Sequence, residues 1–198
     1  MSFDLSVYAM QLPADLEKSW LDELLRAGYE CELSPGFKLA EQEFDLMLKV
    51  NKFPERRKRV QPGVPLLVWI DFYCVKREEM DAQELLDLPD DAKELSHEFH
   101  FRTAAGRTEV TLAIQIMGAV ALAKVTRGFL SDPQEGVFAS LDQVDAYAAD
   151  EMRKYVKLDD AGETPFVEWP PSDPVQQKTF KSAPPLTRPK RSWWNPFG

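Results

Sequence analysis

Apolar and polar positions repeat at two different periods along this chain, and the switches between them mark out its elements. Phe3, Leu5, Val7 and Tyr8 alternate with smaller or polar residues, a strand period. Pro13 then opens a helix, where a missing N–H costs nothing. Asp15 and Glu17 fall in its first turn and Arg26 in its last, as the helix dipole favours. Leu16, Trp20, Leu21, Leu24 and Leu25 form its apolar stripe, and Gly28 ends it in the left-handed position. Tyr29 to Leu33 reads as a second strand, stopped by Ser34-Pro35-Gly36. Phe44, Leu46, Leu48 and Val50 alternate with Asp45, Met47, Lys49 and Asn51, a half-buried strand. The run VPLLVWIDFYCV (Val64 to Val75) is apolar almost throughout, which predicts a central strand buried on both faces. Residues 76–96 are acidic helix and loop, and His97 to Arg102 is a further strand.

Thr108 to Lys124 fits both periods. Val110, Leu112, Ile114 and Ile116 alternate as in a strand, whereas Val110, Ala113, Ile114, Met117, Val120, Ala121 and Val125 share a helical face. Length and the alanine-rich second half decide for a mostly buried helix, with Gly118 marking close packing against a neighbour. Between this helix and the next lies GFLSDPQEG (Gly128 to Gly136). Gly128 closes the helix, Phe129-Leu130 and Val137-Phe138 pair as the arms of a small hairpin, and Asp132-Pro133 fit the first two positions of a type I turn. Ser140-Leu141-Asp142-Gln143 is a capping box for a third helix, with Leu141, Val144, Ala148, Met152 and Tyr155 on one side. From Asp159 the pattern stops, and the last stretch holds more than half of the fifteen prolines. The expected organisation is an α+β domain over 1–158, a mainly antiparallel sheet packed with helices, followed by an extended Pro-rich tail over 159–198.

Charge adds a second layer. The net charge is −9, but residues 172–198 carry about +4 of basic excess, leaving about −13 on the rest. So acidic a body repels nucleic acid and anionic membrane and attracts basic partners. The apolar run Leu112 to Val125 is interrupted by Gln115 and Lys124 and is too short to span a bilayer, so no stable membrane insertion is expected. The opening MSFDLSVYAMQLP lacks a basic n-region, and a cytoplasmic location is the expectation. Cys31 and Cys74 read as buried thiols rather than a disulfide, and their spacing suits no zinc site.

Candidate chemistry is sparse. His97 and His100 are the only histidines, and on a strand residues three apart face opposite ways, so they do not converge on a metal. No glycine-rich phosphate loop or other cofactor motif occurs. The acidic pairs Glu78-Glu79 and Asp90-Asp91 suit a negative docking face better than acid–base work, which needs one carboxyl desolvated. Gln134 and Glu135 at the tip of the hairpin are further contact candidates. ERRKR (Glu55 to Arg59) reads as a solvated basic loop. The tail RPKRSWWNPFG carries Trp193 and Trp194, which either fold back onto the domain or anchor a partner.

One resemblance gathers these features. A helix ending Ala-Lys-x-Thr-x-Gly (Ala123 to Gly128), a short apolar pair, then Asp-Pro-Gln-x-Gly (Asp132 to Gly136) and another helix resembles small bacterial proteins of polymorphic toxin and type VI secretion neighbourhoods, some of them immunity proteins. The opening MSFDLSVYA and the basic, Trp-rich close look similar too. The resemblance implies a non-catalytic protein that binds and neutralises a toxin, here a basic effector met in the cytoplasm. Two alternatives stand beside it. One is an enzyme using His97 or His100 with a nearby acid, which a pocket holding such a pair would favour. The other is a scaffold or regulator docking through its Trp-rich tail.

Overall fold

The computed structural model describes residues 2–41, 45–54, 63–104, 107–154 and 162–171. Within them the alternating segments become strands β1 (Phe3–Ala9), β2 (Glu30–Leu33), β3 (Leu46–Lys52), β4 (Leu66–Lys76), β5 (His97–Thr103), β6 (Phe129–Asp132) and β7 (Val137–Ala139). The helices are α1 (Leu16–Arg26), the short α2 (Ala82–Asp87), α3 (Glu109–Val125) and α4 (Val144–Lys154). The strands form one antiparallel sheet in the order β2-β3-β4-β5-β1-β6-β7. The fold is therefore α+β, as the pattern predicts.

Period-two alternation places one set of side chains inside. Leu5 and Val7 of β1, Leu48 and Val50 of β3, Val68, Ile70 and Phe72 of β4, and Phe99 and Phe101 of β5 form a single core with α1, α3 and α4. The ambiguous segment is helical. Thr108 caps α3 by accepting the Thr111 amide at 3.1 Å. The helix is apolar nearly all round because it lies between the sheet and its neighbours α1 and α4. Gly118 permits the closest approach: a Cβ there would stand 3.2 Å from the fully buried Trp20 ring, whose indole N–H donates to the Gly118 carbonyl at 2.8 Å. Gln115, also fully buried, donates to the carbonyls of Phe3 and Phe101 and accepts from Thr103, which ties α3 to β1 and β5.

Several expectations need correction. β4 is interior to the sheet but buried on one face only. Asp71 and Tyr73 of the other face are exposed, because no full layer of helices covers that side. Leu25 is 54 % exposed, so the apolar stripe of α1 is narrower than expected, and Leu141, 40 % exposed, lies in the turn before α4 rather than on its apolar side. Gly128 does not take the left-handed position after α3. Arg127 does, at φ 52°, and its amide bonds to Lys124 O at 3.2 Å while the Gly128 amide bonds to Ala123 O at 2.8 Å. Gly128 is needed for another reason: a Cβ there would meet the Tyr8 carbonyl oxygen at 2.1 Å. After α1 the left-handed residue is Gly28, at φ 91°, as expected.

The GFLSDPQEG segment is a structural hairpin. Asp132 is fully buried, accepts the amides of Gln134 and Glu135 at 3.0 and 3.1 Å, and accepts the Tyr147 hydroxyl of α4 at 2.8 Å. Ser140 donates its amide to Gln143 at 3.1 Å, the returning half of the capping box. Residues 162–171 return to the sheet. Pro165 bridges to Leu66 of β4, and Glu163 accepts the Val110 amide at the start of α3 at 3.1 Å. The basic loop Glu55 to Arg59, Tyr155 and the tail from 172 onward lie outside the described residues.

Candidate functional site

The sheet face turned away from the main core carries the polar chemistry. Antiparallel register sets Tyr8, Ser6 and Asp4 of β1 opposite Glu98, His100 and Arg102 of β5, and Val75, Tyr73 and Asp71 of β4 opposite the same three. Alternation sends all nine to one side. His100 lies at the centre of this array. Ser6 Oγ is 3.1 Å from its Nδ1, Glu98 Oε1 is 3.1 Å from its Nε2, and the Tyr73 ring stacks on it at 4.1 Å between centroids and 16° between planes. Glu98 is 6 % exposed, and its second carboxylate oxygen has no hydrogen-bond partner among the described residues.

A chain segment covers part of this face and leaves a gap. Leu88, Ala92 and Leu95 form a second small core with Tyr8, Met10, Phe129 and Phe138 at the β1–β6–β7 side. Before it, the turn Arg77–Glu79 leads through Met80 and Asp81 into α2, with Glu79 accepting the Lys76 amide at 3.1 Å and Asp81 accepting the Gln83 amide at 2.7 Å. Between this turn and the strands lies a half-open recess of about 390 Å³, lined by Tyr8, Tyr73, Val75, Glu79, Met80, Asp81, Glu98 and His100. Its size falls within the range of ligand sites. Among the described residues its lining holds three carboxylates and no lysine or arginine.

The residues singled out in the sequence divide around this recess. Glu79 is on its rim. Glu78 is exposed in the same turn but does not line it. Asp90 pairs with Lys93 at 2.6 Å in a separate turn, and the Asp91 side chain lies outside the described set. Gln134 donates to Ser2 O and Asp4 at 2.8 and 3.2 Å, and Glu135 pairs with Lys154 at 3.3 Å, so both fasten the hairpin to the rest of the domain. Trp193 and Trp194 lie outside the described residues. His97 and His100 face opposite ways, as the strand period requires: His97 packs along Phe99 on the core side, where burial pulls its pKa below the ordinary imidazole value. Sequence reading missed Tyr8, Tyr73, Asp81 and Glu98. The outward positions of β1, β4 and β5 carry the signal for the three strand residues, but only the strand register brings them together.

Chemically, Ser6, His100 and Glu98 bring together the residue types of a nucleophile, base and orienting acid. Their surroundings do not suit acyl transfer. Ser6 is 7 % exposed and does not line the recess, and it sits mid-strand between β5 and β6, where backbone amides serve the ladders rather than an oxyanion. Among the described residues, no group of three or more His, Cys, Asp or Glu side chains is arranged to hold a metal ion, and no helix is long and apolar enough to cross a membrane. Comparison with known protein families, curated proteins and solved structures finds no match to this chain.

Proposed function

We propose that this protein is a non-catalytic inhibitor that binds a basic protein partner through the exposed face of its sheet, in the manner of an immunity protein that neutralises a bacterial toxin. The observation that carries this reading is the recess, which combines two tyrosines and three carboxylates with no lysine or arginine among the described residues of its lining. The acidic surplus of the body supports it further, since a negative surface speeds encounter with a basic partner and deters anionic ones. The type VI secretion neighbourhood implied by the hairpin motif and its flanking helices fits the same role. The test is co-expression with the product of the adjacent gene. Protection of the cell together with a stoichiometric complex supports the reading, and toxicity unchanged by the chain overturns it.

A second reading, catalysis, is favoured by one observation: His100 stands beside Glu98 in a recess, with Ser6 at its other nitrogen. It predicts hydrolysis of an activated acyl ester such as p-nitrophenyl acetate that disappears in both S6A and H100A. Equal background rates in wild type and variants would dismiss it.

A further inference from the structure

We infer that the recess on the open face of the sheet is a receptor for a single arginine side chain of the partner. This rests on the reading of the chain as a binder of a basic protein and names the group that such a partner must present. Three features select a cation. Glu98 is more than nine-tenths buried and lines the recess; one of its oxygens lies 3.1 Å from His100 Nε2, and no hydrogen bond from a described residue reaches the other. A carboxylate so little exposed gains from a charged donor in the recess. Glu79 and Asp81 on the rim add negative charge, and each already accepts one backbone amide, which fixes its place. Tyr8 and Tyr73 supply aromatic surface, on which a cation is favoured.

Guanidinium suits this lining better than ammonium. Its five donors can reach acceptors on two sides at once, and its flat, weakly hydrated plane stacks on tyrosine, whereas an ammonium keeps its water more tightly. The His100–Ser6 contact gives the recess a firm floor: Nδ1 is bonded to Ser6, Tyr73 stacks on the ring, and Nε2 lies 3.1 Å from Glu98, so the ring is placed before any ligand arrives.

The test needs no partner protein, so its failure is distinguishable from failure of the inhibitor reading, which co-expression decides. The isotope-labelled full chain is titrated with N-acetyl-arginine amide while the amide signals of Tyr8, Tyr73, Glu98 and His100 are followed. N-acetyl-lysine amide and the neutral N-acetyl-citrulline amide serve as comparisons. Saturable shifts at these amides are expected with arginine, with a Kd on the order of 1 mM, at least about fivefold tighter than with either comparison. E98Q and the surface variant Y73A should each weaken the arginine response, and Y73A keeps the test open if E98Q does not fold. Equal binding of the lysine or citrulline analogue, or arginine shifts that ignore Y73A, would overturn the inference.

Discussion

At the scale of single residues, the polar groups of this protein fall into those that hold it together and those that face outward. Asp132 belongs to the first kind: one carboxylate joins the turn, the hairpin and α4. D132A removes three hydrogen bonds from a buried carboxylate, so it should cost about 3 kcal/mol in urea unfolding; a loss under about 1 kcal/mol would contradict that role. The two cysteines are a different case. Burial, aided in one by Glu30 and in the other by Glu79, pushes both thiols up to about 12. They cannot bridge. β3 lies between their strands, and Cys74 sits eight residues along β4 from the position level with Cys31, about 26 Å. At pH 8 roughly one thiol in ten thousand is ionised, so an aromatic disulfide reagent should react at least about 100-fold more slowly than with free cysteine. In guanidinium both thiols should then titrate fully. These roles were legible to different degrees. The cysteines' strands were visible in the apolar runs around them. The buried task of Asp132 was not, because an Asp-Pro turn reads the same whether its carboxylate meets water or a tyrosine fifteen positions away in the fold's next helix.

At the scale of elements, the hydrophobic pattern carried most of the fold. Alternation located the strands, and length separated α3 from a strand. It failed where a property depends on the neighbour rather than on the element. β4 is apolar on both faces in composition, yet only its helix-facing side is fully covered, and nothing within β4 records what lies across from it. The end of α3 is similar. A glycine after a helix normally signals a left-handed cap, but here Arg127 takes that conformation and Gly128 makes room for β1. The two positions should therefore respond in opposite directions. G128A drives a methyl group into the Tyr8 carbonyl and should destabilise by about 3 kcal/mol or prevent folding. R127G relieves a strained backbone and should stabilise by about 1 kcal/mol. Thermal melts of the pair check this, and matching changes at both positions would show that the helix end is held in some other way.

At the scale of the whole molecule, three helices protect one face of the sheet, and the other remains partly open between the 77–96 segment and the strands. That open face carries the recess, whose described lining includes three carboxylates. The candidate site was only half legible in the sequence. Glu79 and His100 stood out as members of an acidic pair and a rare residue type. Glu98, Tyr8 and Tyr73 did not, since their meeting depends on the register of three strands separated by dozens of residues. The measurement that bears most directly on the account is survival of cells expressing the adjacent gene's product together with wild type, Y73A or the double variant E79K/D81K, each first matched for melting temperature. The account predicts protection by wild type and a loss of at least about tenfold in survival with either recess variant. Protection that persists undiminished in both variants, or no protection by wild type, would contradict it.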